Sequence, residues 1–77
     1  MASLNERRRL AIILQRLAPD LVASLWRVRR LRELSLDVRE TIAEVLGSEA
    51  ASRGLDEDEE PNAYGRELGE LFGALGL

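Results

Sequence analysis

The 77-residue chain contains no cysteine and no histidine, and every one of its 11 basic residues is an arginine. The missing cysteine excludes disulfides and thiolate chemistry, and the composition fits any redox compartment. The missing histidine removes the usual general base at neutral pH and the commonest nitrogen ligand for a metal. Aromatics are confined to Trp26, Tyr64 and Phe72. No apolar run approaches the roughly 20 residues needed to span a bilayer, so a soluble, cytoplasmic protein with no membrane role is expected. The opening MASLNERRRLAIIL superficially has the layout of a secretory signal. Gln15 and Arg16 cut its apolar run short and no clean small-residue cleavage site follows, so it reads as mature sequence.

What the chain does have is the segment Leu10 to Leu31, LAIILQRLAPDLVASLWRVRRL. At about 100° per residue, Leu10, Ile13, Leu14, Leu17, Leu21, Leu25, Val28 and Leu31 fall on one arc. A second set, Ala11, Ala18, Val22 and Trp26 with Ile12 close behind, lies roughly 80–200° round from Leu10. A surface helix needs an apolar stripe only about 100° wide, so the surplus implies burial on two sides, by the other helices and by a second subunit. Pro19 removes a backbone donor and clashes with the preceding turn. Either a kinked continuous helix or two shorter ones follows, and the preserved phase of Leu17 and Leu21 favours the kink. This first element carries Arg7, Arg8, Arg9 and Arg16 early and Arg27, Arg29, Arg30 and Arg32 late, where they suit the negative end of a helix dipole. Ser3 or Asn5 is the candidate cap, with Ser3 and Glu6 spaced as a capping box.

The remainder predicts two more helices. Ser35 caps the first of them, LDVRETIAEVLGSEAASR, with Asp37 in its first turn. Val38, Ile42, Val45, Leu46 and Ala50 form its core face, Arg39, Glu40, Glu44 and Glu49 its solvent face, and Gly54 its terminator. Gly47 weakens that helix, so its small size is expected to serve packing. Five consecutive acids, Asp56 to Glu60, and Pro61 make a charged turn, in which Asp56 and Glu59 could form a capping box. The last helix, Asn62 to Gly76, presents Tyr64, Leu68, Leu71, Phe72 and Leu75 as its stripe.

Beside that stripe Gly65, Gly69 and Gly73 recur every fourth residue. Each interior glycine costs about 1 kcal/mol of helix stability, an expense that close backbone approach by another helix would offset. That helix could be this chain's first or one from a second copy. The alternation of Asp56, Asp58, Glu60 and Asn62 imitates a calcium loop. Pro61 stands where the loop needs a glycine turn, however, so no metal is expected there. Charge is uneven: up to Leu34 eight arginines face Glu6, Asp20 and Glu33, whereas beyond it Arg39, Arg53 and Arg66 face eleven acids. Pairing of arginines with acids inside the fold is the expected outcome. Catalysis has no support: Ser24, Ser48 and Ser52 lack a partner base and the carboxylates read as exposed. No enzyme activity and no cofactor are expected.

Arginine as the sole base, with the alanine and leucine content, fits a GC-rich bacterial coding sequence. From Ile42 onward, Arg53-Gly54-Leu55, the acidic turn, Pro61-Asn62, Tyr64-Gly65, Leu68 and Leu71 resemble a pattern in the CATRA-associated small proteins, helical bacterial proteins of conflict systems. Gly69 and Gly73 depart from it, since acidic residues are usual near those places. The resemblance implies a non-enzymatic accessory or adaptor in a defence or signalling system. Taken together, an all-α bundle of three to four helices is expected, completed by oligomerisation. It would serve as a protein-protein interaction module, the expected residues of contact being Ile12, Val22, Trp26, Gly65, Gly69 and Gly73. A homodimer is favoured, with another protein as the other possible partner. The alternative is a small nucleic-acid-associated regulator of antitoxin or repressor type, using Arg27, Arg29, Arg30 and Arg32; the net acidic charge and the acidic turn weigh against it.

Overall fold

The computed structural model describes residues 2–77, and their side chains from Glu6 onward. The suggested caps Ser3 and Asn5 therefore have side chains outside the described residues. Four α-helices follow one another: α1 (Ala2–Leu17), α2 (Val22–Leu25), α3 (Leu36–Arg53) and α4 (Ala63–Ala74). Short 3-10 turns at Pro19–Leu21 and Leu31–Glu33 flank α2. Among the described residues the only extended pairing is an isolated bridge between Leu55 and Pro61.

The first element is broken where a kink was favoured. Ala18 sits at φ −153°, ψ 69°, outside the helical region, because the ring of a following proline crowds the helical conformation of its predecessor. Pro19 then opens a new turn, where its missing N–H costs nothing. The helical path stops again after Leu25. Arg30 is extended, so Arg27, Arg29 and Arg30 lie on an irregular connection, and Arg32 on a 3-10 turn, rather than on the last turns of a long helix. Arg7 donates to the Val28 carbonyl across this connection. The result is a hairpin in which Leu25, Leu31 and Leu34 turn into the core beside Leu10, Ile13 and Leu14. Val28 is half-buried at its edge.

Helix α3 begins as its sequence predicts, with the Ser35 hydroxyl accepting from the Val38 amide at 3.3 Å. Helix α4 is capped by Asn62, whose Oδ1 accepts from the Gly65 amide at 2.7 Å. Its Nδ2 donates back to the Arg53 carbonyl at 3.0 Å, so one side chain ties the end of α3 to the start of α4. Between them, Asp56 closes its own turn by accepting from the amides of Asp58 and Glu60. It makes no capping box with Glu59, which adopts a left-handed φ of 62°.

Leu10, Leu14, Leu25, Ile42, Leu46, Leu68, Leu71 and Leu75 are fully buried, each stabilising the fold by roughly 1.5–3 kcal/mol. Phe72, expected on the inner stripe of α4, is 44% exposed. Arg39, assigned to solvent, is half-buried and donates to the carbonyls of Leu34, Leu75 and Gly76. It thereby satisfies acceptors that the end of α4 leaves open.

The glycines divide sharply. A Cβ on Gly65 would stand 2.1 Å from the Gly54 carbonyl oxygen, and one on Gly54 would stand 2.7 Å from the Ala50 oxygen. Gly54 has an ordinary φ of −91°; it is required for space, so that α3 and α4 can meet backbone to backbone. The close packing thus involves neither the first helix nor, at Gly65, a second copy. Gly47, Gly69 and Gly73 have no outside atom within 4 Å of a Cβ position, and the packing role expected of them is absent within the fold. Gly69→Ala should raise stability by up to about 1 kcal/mol through helix propensity alone. Gly65→Ala, one turn earlier, should lower it by about 2 kcal/mol or more through overpacking. Urea denaturation of the two variants compares them directly.

Candidate functional site

The outer side of the α1–α2 hairpin leaves two large apolar side chains uncovered side by side. Ile12 is 68% exposed and Trp26 53%. Together with Ala11, Val22 and the stems of Arg8 and Gln15 they line an open, mostly apolar groove. The break at Pro19 places these residues together: α2 folds back along α1, so Leu25 turns inward while Val22 and Trp26 flank the outward row of Arg8, Ile12 and Gln15. The Arg7 guanidinium lies 5.4 Å from the centre of the Trp26 ring, within cation–π range. Trp26 is consequently held in place without being covered.

The three glycines grouped with this face do not join it. Gly65 is spent on Gly54, while Gly69 lies along a separate shallow groove between α3 and α4 with Leu46, Gly47, Ala50, Leu68 and Phe72. Gly73 is exposed further along α4.

Arg27, Arg29, Arg30 and Arg32 are all exposed, and the expected pairing of arginines with acids is sparse. Among the described residues only Arg9–Glu70 and Arg16–Glu49 come within ion-pair distance. Arg7 and Arg39 give their donors to backbone carbonyls instead. The acidic turn has no ion-pair partner among the described residues. No three acidic side chains among them converge as a metal site, and none of the helices is long and apolar enough to cross a membrane.

Glu49 was assigned to solvent and is only 7% exposed. The signal was available: it stands seven residues after Ile42 and three after Leu46, on the core arc of α3. Its Oε2 accepts from the Tyr64 hydroxyl at 2.7 Å and from Arg16 at 2.8 Å, while Arg16 also donates to the Tyr64 oxygen at 3.0 Å. This triangle joins α1, α3 and α4. The Tyr64 hydrogen bond first, and then that of Arg16, pull the Glu49 carboxyl below its ordinary range against the opposing effect of desolvation. Tyr64 is raised, by desolvation first and then by its bond to Glu49. Nothing in the cluster is poised as a nucleophile: the carboxylate is satisfied and the hydroxyl is its donor.

No family model, curated protein or solved structure matches the chain.

The triangle makes stability depend on pH at both extremes. Because the folded carboxyl of Glu49 titrates below its unfolded value, its contribution is complete above about pH 4.5 and is lost as pH falls through the lower, folded value. The contribution of neutral Tyr64 is present below about pH 10 and is lost as pH rises through its raised value. Melting temperatures measured from pH 7 down to pH 3 should fall more steeply in the native chain than in Glu49→Gln, and Tyr64→Phe should show an intermediate slope.

Proposed function

We propose that the protein is a non-enzymatic interaction module that self-associates as a homodimer through the face of Ile12, Val22 and Trp26. The observation that carries this reading is the exposure of Ile12 and Trp26 side by side around an apolar groove. Adjacent apolar side chains rimmed by polar ones are the usual mark of an interaction surface, and burying a tryptophan is among the larger single contributions an interface receives. A two-fold contact pairs the same patch on both copies.

The resemblance of the C-terminal half to the CATRA-associated small proteins adds a setting: an accessory or adaptor in a bacterial defence or signalling system, acting in the cytoplasm. In that role the dimer supplies a scaffold and no chemistry.

Light scattering after size exclusion, at two protein concentrations and at low and high salt, tests the assembly. A dimer that persists at high salt is expected, because its contact is apolar. Ile12→Glu should convert it to a monomer with an unchanged melting profile at low concentration. A native chain that is monomeric throughout would refute the reading.

A further inference from the structure

Residues far apart in the sequence bring their arginines to one end of the molecule. Helices α1 and α4 run antiparallel, since Arg9 reaches Glu70 while Arg16 reaches Tyr64. The start of α1 therefore lies beside the end of α4, where Glu6, Arg30, Arg32 and Ala74 border one depression. The stem of Arg32 packs close to Gly76, and Arg7 binds the Val28 carbonyl. Across residues 6–9, 27–39 and 70–76, which meet at this end, arginines exceed acids by four.

The acidic turn lies at the opposite end of α4, next to Gly54 and Asn62. Twelve residues of helix separate it from the arginine end, about 18 Å at the helical rise and so roughly two Debye lengths at physiological salt. The net negative charge of the chain consequently does not describe the field at its basic end. The expectation that the acidic turn would repel phosphates there assumed a proximity that the fold does not provide.

We propose that this end binds the phosphate backbone of nucleic acid through Arg8, Arg27, Arg29, Arg30 and Arg32. All five are exposed and have no carboxylate within ion-pair distance among the described residues. Guanidinium groups match phosphate oxygens two at a time, and their spread over two segments suits a regularly charged strand. The acidic turn of a second copy is a poorer occupant: it is one tight loop, and Asp56 is already engaged within it. A lipid surface is also a poorer fit, since Val28, Leu31 and Leu34 among the arginines turn inward, and the exposed apolar residues nearest them, Trp26 and Leu36, flank the arginine run rather than lie within it. If copies associate through the face of Ile12, Arg8 borders that contact, and Arg27, Arg29, Arg30 and Arg32 still carry the binding.

Fluorescence anisotropy with a short labelled DNA duplex and a single-stranded RNA of equal length tests it, and the tighter of the two identifies the source of the phosphates. If four contacts form, affinity should fall on the order of a hundredfold between roughly 50 and 200 mM salt. The triple variant Arg27→Gln, Arg29→Gln, Arg30→Gln should lose about three from the salt slope, whereas the Lys versions should keep it. Glu57→Gln with Glu60→Gln should change neither affinity nor slope. The salt slope of the native chain stands as a test even if the Gln variant folds poorly. Absence of retention at low salt, retention insensitive to salt, or tighter binding to phosphatidylserine vesicles than to either nucleic acid would each overturn the proposal. So would salt-dependent self-association abolished by the Glu57 and Glu60 changes.

Discussion

The steric conflict between Pro19 and a helical Ala18 is the constraint on which the rest of the arrangement depends. Without it, the apolar pattern from Leu10 to Leu31 would specify a rod with two oily sides and no means of covering either. By forcing Ala18 out of the helical region, the proline lets the second part of that pattern fold back along the first. Leu25 and Leu31 then close the core from α1's flank while α3 and α4 close it from the other side. The same fold-back leaves Trp26 outside and places it under Arg7. One local backbone effect thus determines both what is buried and what remains available for contact.

Arginine serves this fold in an unequal way. Arg16 joins a carboxylate and a tyrosine at a three-helix junction, whereas Arg7 and Arg39 bind main-chain carbonyls at places where regular helical bonding stops. A planar group with several donors suits such irregular points better than a flexible ammonium does. Apart from Arg9, which pairs with Glu70, the remaining arginines have no carboxylate within ion-pair distance among the described residues, and the polarity of the sequence becomes a polarity of the folded surface.

Much of this was legible beforehand, and the failures share a cause. Ser35 and Gly54 mark helix boundaries through local chemistry, and Leu10, Ile13 and Leu14 reveal a core face through spacing alone; the capping role of Asn62, counted in the sequence as the first residue of the last helix, emerges only from the fold. The continuous phase across Pro19 was misleading, because Leu21, Leu25 and Leu31 can also reach the core from a folded-back path. Periodicity records which residues turn inward, and is silent on whether one helix or several carry them. Glu49 reads as a solvent residue by its charge and as a core residue by its position on the arc, and the position decides. Tyr64 and Arg16, which make burial tolerable, are 15 and 33 positions away. The glycines of α4 share one spacing and have different reasons, since only Gly65 meets another backbone, and that contact is a property of the α3–α4 corner.

The uneven glycines also bear on how the fold comes apart in time. The beginning of α4 is fastened by Asn62 and by the contact of Gly54 with Gly65. Its later turns contain Gly69 and Gly73, which weaken the helix and pack against nothing at their Cβ positions. Free energies of local opening differ along one element when its contacts do, so amide hydrogens in the last turns of α4 should exchange with solvent before those near Gly65. Each such opening momentarily releases Leu71 and Leu75 from the interior, and with them the carbonyls that Arg39 holds. The firmness of α4 is thus expected to grade along its length, from the fastened acidic corner to the glycine-bearing turns beside the arginines.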